Sequence, residues 1–189
     1  LFKDICTPVT WIDTSKANKS SFESKPTTKN ANQKSYVNKY EAEIILGLLS
    51  KIVAHKNSET ILVEGNDPKI GIICMYGEQV KYLIREINGV SWARTLLEKC
   101  IIKVDTIDSY QGKENDIVIV SLVRSNSSGA QGHVASENRA NVALSRAKEA
   151  LFIVGNSDMW CNHNEGSAFG RVYKYISEHS GQEYSIVNS

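Results

Sequence analysis

Two stretches of the chain concentrate polar side chains directly beside apolar runs. The first is Val104-Asp105-Thr106-Ile107-Asp108-Ser109-Tyr110-Gln111-Gly112-Lys113-Glu114-Asn115-Asp116. Gly112 lets backbone approach a ligand closely. Gln111 and Glu114 would set an amide and a carboxylate near one point, a pair suited to sugar hydroxyls or the edge of a nucleotide. Asp108 and Gln111 have capping-box spacing, which predicts a short helical turn starting there. Taken alone, the segment reads equally as a well-capped turn between two strands.

The second stretch is Ser136-Glu137-Asn138-Arg139-Ala140-Asn141-Val142-Ala143-Leu144-Ser145-Arg146-Ala147-Lys148. A helix over 136–148 would point Arg139 and Arg146, about two turns apart, in the same direction. Neither has a carboxylate four residues on. Two aligned guanidinium groups favour an anion, phosphate above all. The alternative is a solvated helix face whose arginines find distant carboxylates.

The elements around these segments follow from periodicity. Thr10-Trp11-Ile12-Asp13 predicts a short strand. Ile70 to Met75, Cys100 to Ile107, Asp116 to Val123 and Ala150 to Val154 are apolar runs expected of strands covered on both faces. Asn38 with Glu41 has capping-box form, and Tyr40, Ile44, Ile45, Leu48, Leu49, Ile52 and Val53 then recur at helical spacing. A second helix carries Val80, Leu83, Ile84 and Ile87, and a last one Phe169, Val172, Tyr173 and Ile176. Strands alternating with helices, without hairpin signals, indicate a mainly parallel sheet with helices on both faces. In such sheets ligands bind beyond the carboxyl ends of the strands, so chemistry is expected in the loops after Ile73, Thr106 and Val123.

The chain's 189 residues suit one α/β domain. Lys and Arg number 22 against 21 Asp and Glu, so the net charge of +1 requires any nucleic-acid contact to be a local patch. The tract from Ser15 to Ser35 holds five Lys and one Glu among Ser, Thr and Asn; its composition predicts a mobile surface loop, or else a basic arm. Cys6, Cys74, Cys100 and Cys161 form no CxxC pair, which points to a reducing compartment and away from a disulfide framework. Cys161-Asn162-His163 lacks a second ligand pair, so no metal is expected. No apolar run reaches the ~20 residues of a membrane span. The start, Leu1-Phe2-Lys3, has no initiator Met, as in a fragment of a longer protein.

The segment Thr106 to Asp116, running on to Val123-Arg124-Ser125-Asn126, resembles motif V of the up-frameshift and senataxin-type superfamily 1 helicases. Arg139 to Lys148, followed by Phe152-Ile153-Val154-Gly155-Asn156, resembles their motif VI. Gly71 to Gln79 is similar to the motif IV region, with Tyr76 and Gln79 flanking a helix start. The resemblance covers nearly the whole chain in order. It implies one RecA-like domain over residues 1–189, the second motor domain of a P-loop NTPase, with an α/β fold and a mainly parallel sheet.

It also implies roles. Arg146 matches the finger that reaches the γ-phosphate of ATP, and Arg139 a second arginine supporting the nucleotide site. Glu114 matches an acid near the ribose, and Gln111 with Gly112 the segment by the phosphates. Thr106, Ser109 and Tyr76 match positions beside the nucleic-acid backbone. Implied partners are single-stranded DNA or RNA and the first RecA-like domain of the same parent chain, which would hold most of the ATP and Mg2+; implied locations are the cytoplasm or, in a eukaryote, the nucleus. The sequence departs from the family in Cys74-Met75 before Tyr76 and in Asn138 at the first paired arginine. It has no Gly-x-x-x-x-Gly-Lys-Ser/Thr loop and no Asp-Glu magnesium motif. Hence the domain is expected to be inactive alone. The competing reading is an interaction domain that kept the fold and lost the motor. A metal-dependent nuclease is discarded, because its Glu-x-Lys arrangement appears only as Glu23-Ser24-Lys25.

Overall fold

The strand Ile70–Cys74 is buried at every position, as an apolar run without alternation requires. In the computed structural model, which describes residues 7–25, 35–56, 68–99 and 101–189, it sits inside one six-stranded sheet. The strands are β1 (Val9–Asp13), β2 (Ile70–Cys74), β3 (Ile102–Thr106), β4 (Asn115–Ser121), β5 (Ala147–Gly155) and β6 (Tyr184–Asn188). Their order is β3-β2-β4-β5-β1-β6, and every pairing is parallel. The expected α/β architecture is therefore present. The edge strand β6 was not among the expected strands.

The helices are α1 (Lys39–Lys56), α2 (Gly77–Gly89), α3 (Ser91–Glu98), α4 (Glu137–Leu144), α5 (Ser157–Cys161) and α6 (Ala168–Glu178). Alternate strand residues serve the two faces. Ile72, Cys74, Ile119 and Val154 pack with Leu49 of α1 and with Leu83 and Ile87 of α2. Ile73, Val118, Val120 and Ile153 pack with Ala140 of α4, Trp160 of α5 and Phe169 of α6.

Three expectations need correction. The helix expected over 136–148 ends at Leu144, because β4 captures the chain that follows: Asn115 N–H donates to the Arg146 carbonyl at 3.0 Å and Asn115 pairs with Ala147. The strand expected from Ala150 accordingly begins at Ala147. Ser15–Ser21, expected to be irregular, is a 3-10 helix. Asp13 holds its start, accepting from the Ser15 N–H and hydroxyl at 2.9 Å each, and Ser21 is fully buried. Composition missed this because the far end of the turn is held by Asn38, Ser125 and Asn156, distant in the chain. Residues 26–34 of that tract, and Cys6 and Cys100, lie outside the described residues.

Asn38 caps α1, its Oδ1 accepting from the Glu41 N–H at 3.0 Å. The rest of the capping box does not form. Asn38 N–H donates instead to Gln79 Oε1 at 2.8 Å, and the Glu41 carboxylate turns inward. It accepts from Ser121 Oγ at 2.6 Å and from Val123 N–H at 2.9 Å, and is fully buried. Burial pushes the Glu41 carboxyl up to about 8, although hydrogen bonds from Ser121 and Val123 pull the other way. The folded chain thus keeps this proton across a range where the unfolded chain has lost it. That contribution is complete below the unfolded value of 4.5 and disappears as pH rises through about 8. The melting temperature should fall across that interval, and Glu41→Gln should flatten the fall; an identical pH profile in the variant would assign the dependence to another group. Glu41→Ala should be costlier at every pH, by about 1–3 kcal/mol for each buried donor it orphans.

Candidate functional site

The chain leaves β3 at the carboxyl edge of the sheet and must re-enter at the amino end of β4, two strands away. It does so over residues 107–114, with only a 3-10 turn at Asp108–Tyr110 on the way. The expected capped turn is therefore present but uncapped: its N-cap is Ile107, without a side-chain bond. Tyr110 anchors the crossover. It is fully buried, its hydroxyl donates to Asn115 Oδ1, and burial lifts it to about 12. Gly71 of β2 makes room for it, since a Cβ there would fall inside the Tyr110 hydroxyl. Lys113 Nζ donates to the Ser109 carbonyl at 2.5 Å and to Asp105 at 3.2 Å, fastening the returning strand to its start.

This route separates the candidate residues into two groups. Gln111, Gly112 and Glu114 are exposed at the amino end of β4. Arg146 stands at the head of the neighbouring strand β5, joined to Asn115 by the bond described above. Its Nε donates to the Val142 carbonyl at 3.1 Å and its Nη2 to Ser145 Oγ at 2.7 Å. It forms no ion pair among the described residues. Gly112 has φ +79°, a left-handed conformation favouring glycine, with open space where a Cβ would stand. These candidate residues therefore lie away from the carboxyl ends of the strands, where ligands are expected. The reason is the crossover: a polar segment that follows one strand closely also precedes the next.

Arg139 belongs elsewhere. With α4 ending at Leu144, the two arginines do not share a helix face. Arg139 forms a bidentate pair with Asp108, both contacts at 2.9 Å. That bond holds the Asp108 carboxyl below its ordinary value. The alternative of a distant carboxylate is the one realised here, and the pair ties the crossover to α4.

At the carboxyl edge Thr106 and Ser109 are together. Thr106 Oγ1 donates to Ser109 Oγ at 3.1 Å and accepts from Ser109 N–H at 3.3 Å. Tyr76 does not join them as a surface group. It is 3% exposed, its ring lies against Tyr36 at 5.3 Å and His133 at 4.1 Å, and burial raises its hydroxyl above the ordinary range. A Cβ on Gly132 would come within 2.6 Å of that hydroxyl, so the loop lies closed over it. Sequence reasoning assigned no role to His133, whose Nε2 bonds the Met75 carbonyl. Nor did it assign a role to Arg124 within the motif V segment, which pairs with Glu23 at 3.3 Å (side chains 5% and 6% exposed) and lies over the Tyr36 ring at 4.2 Å. The visible signal was a charged residue directly after an apolar strand.

The described cysteines, Cys74 and Cys161, are free thiols. Burial raises Cys161 to about 11, so it is a poor thiolate. Among the described residues no cluster of three His, Cys, Asp or Glu could hold a metal, and no helix is long and apolar enough to cross a membrane. If Gly71 exists to admit Tyr110, Gly71→Ala should lower stability by about 1–3 kcal/mol, as overpacking does, and urea unfolding should show it. An unchanged midpoint would mean that the crossover does not depend on that contact.

The family described as AAA domain matches residues 2–158. The chain is 37% identical over 131 residues to "Helicase required for RNAi-mediated heterochromatin assembly 1" of Schizosaccharomyces pombe, covering 69% of this chain and 12% of that protein. It is 31% identical over 121 residues to "DNA polymerase alpha-associated DNA helicase A" of Saccharomyces cerevisiae, covering 57% and 17%. It is 33% identical over 123 residues to the human "Probable helicase senataxin", covering 65% and 4%. The chain thus spans a small part of the length of each of these relatives.

Proposed function

Because the chain belongs to the AAA domain family, in the up-frameshift and senataxin-type group of superfamily 1 helicases, we propose that residues 1–189 form the second RecA-like motor domain of an ATP-driven helicase. The observation that carries this reading is the pairing at the amino edge. Glu114 and Arg146 lie at the heads of adjacent strands, and Arg146 meets no carboxylate among the described residues. A guanidinium left without an internal counter-charge suits an incoming phosphate.

In this reading Arg146 is the finger that faces the γ-phosphate, and Glu114 holds the ribose, with Gln111 and Gly112 beside the phosphates. Their exposure and the open space at Gly112 fit a nucleotide carried in on a partner domain. Arg139, already neutralised by Asp108, acts as a tie and not as a nucleotide contact. Thr106 and Ser109 face the backbone of single-stranded DNA or RNA, where hydroxyls position a strand without reading it. The phosphate loop and the magnesium carboxylates, absent from this sequence, belong to a first motor domain of the longer protein. That domain would hold magnesium with ATP, and the ion would supply neutralisation of phosphate charge. A reducing compartment, cytoplasm or nucleus, suits the free thiols.

Interactions made mainly in the transition state lower kcat when removed and leave substrate binding little changed. In the longer protein, Arg146→Ala should therefore cut nucleic-acid-stimulated kcat by at least ~100-fold with a much smaller change in ATP affinity. Arg146→Lys should rescue little, since an ammonium lacks the planar fork. Glu114→Ala should mainly weaken nucleotide binding. The 189-residue chain alone should show no ATPase above background. A variant with lowered melting temperature but an unchanged rate per folded molecule would refute the assignment.

A further inference from the structure

The connection leaving β1 goes to α1 on one face of the sheet, and the connection leaving β5 goes to α5 and α6 on the other. Neighbouring parallel strands whose connections diverge leave a crevice beyond their carboxyl ends, the place where open α/β sheets receive ligands. A pocket of about 230 Å³ lies there, between the Ser15–Ser21 turn, the loop after β4 and α5. Neither the amino edge nor the Thr106–Ser109 pair uses it.

Its lining divides by chemistry. The amides of Asn126 and Asn156 are occupied within the protein. Asn126 bonds Glu23, Ser128 and Ala130, and Asn156 bonds Ser125 and Met159. Phe22 and Met159 add apolar surface, and His163 a ring. Polar capacity is left at the Asp158 carboxylate, which among the described residues accepts a long bond from Asn162 Nδ2 at 3.4 Å, and at the exposed hydroxyl of Ser127. A carboxylate repels phosphate and accepts N–H donors. A flat ring set against Phe22 and bearing adjacent donors meets both demands. Among the bases guanine offers that pair, N1–H beside the 2-amino group, to a carboxylate that accepts bidentately.

The pocket lies on the carboxyl edge, as Thr106 and Ser109 do. Loop residues Asn126 and Ser127 line it, and the same loop runs on to His133, which bonds Met75 at the end of β2. From β5 to β3 is three strand spacings, about 14 Å, a span that a few nucleotides cover. We propose that this pocket takes one unstacked guanine base of the bound strand, with Asp158 accepting from its N1–H and 2-amino group. The proposal rests on the reading of the carboxyl edge as the single-strand side. Single-stranded ligands splay their bases and stack them on side-chain rings, which makes such a pocket reachable.

The test uses the 189-residue chain at low salt, with fluorescent oligothymidine, the same oligomer carrying one central guanine, and the same carrying hypoxanthine, in deoxy and ribo forms. Anisotropy should show the guanine oligomer bound at least ~5-fold more tightly than oligothymidine. Hypoxanthine, which lacks the 2-amino group, should fall between. Asp158→Asn, at an exposed side chain that tolerates the change, should bring the guanine oligomer to the oligothymidine level and leave oligothymidine affinity unchanged. Amide shifts specific to guanine should centre on Ser127, Asp158 and His163. Equal affinity for all three oligomers would overturn the pocket and leave the strand reading standing, as would a guanine preference that survives Asp158→Asn. No binding of any oligomer would overturn the strand reading and the pocket with it.

Discussion

The carboxyl edge depends on one buried carboxyl group. Glu41, in the first turn of α1, accepts from the last residue of β4 and from the amide of Val123 just beyond it. Asn38 completes the enclosure, donating through Nδ2 to the carbonyls of Val123 and Ser21 at 3.1 and 2.8 Å. Gln79 closes it from α2, bonding both the backbone of Asn38 and Ser121 Oγ. Val123 itself has φ +66°, a region that a β-branched residue occupies only when its surroundings over-determine it. The strain, of order 1–3 kcal/mol, is held because both polar groups of that peptide are bonded inside the protein. Val123 sets the direction of everything after it: buried Arg124, the loop to His133, and through that loop the lining of the pocket beyond β5.

A second constraint is the short crossover between β3 and β4. A helix there would have kept the polar segment on one edge. Eight residues with a single 3-10 turn instead lay it along the face of the sheet, with Thr106 and Ser109 at one end and Gln111, Gly112 and Glu114 at the other. The interval is a strand of five residues, about 17 Å of hydrogen-bonded sheet. The Asp108–Arg139 pair joins the middle of the crossover to α4, whose end delivers Arg146 to the amino edge. The two edges are therefore joined through one contiguous run of bonded residues.

The sheet was legible because its strands are covered on both faces and leave uninterrupted apolar runs bounded by polar segments. α1 and α2 were legible by their period, and the two polar segments by their density. What escaped depends on pairing across distance. The Asp13–Ser15 contact was local and readable, but nothing near Ser21 announces that Asn38, Ser125 and Asn156 will bury it, or that Glu23 will meet Arg124 some hundred residues on. Helical spacing continued through Ser145 and Arg146, yet β4 outcompeted the helix for them. Tyr76, marked by resemblance as a strand contact, is covered by a loop whose closure needs two glycines with positive φ, Gly129 and Gly132. A capping box was readable at Asn38, but only the fold shows that its acid faces inward and its amide belongs to Gln79.

Charge pairing divides the arginines of this domain, whose net charge is only +1, into two kinds. A guanidinium whose charge is met inside the fold lends little to an arriving phosphate, because the two carboxylate bonds already use its fork. Arg124 is spent on Glu23 in a buried pair, and Arg139 on Asp108. Their contribution is to position loops. Arg146 differs in that its described partners are a carbonyl and a hydroxyl, neutral acceptors that orient the side chain without cancelling its charge. The amino edge therefore presents an oriented cation at the head of β5, with Glu114 at the head of the neighbouring strand, and the domain needs no general basic surface to do so. That arrangement suits a phosphate held in place by another domain better than one captured from solution, since long-range attraction would require net charge that this chain does not have.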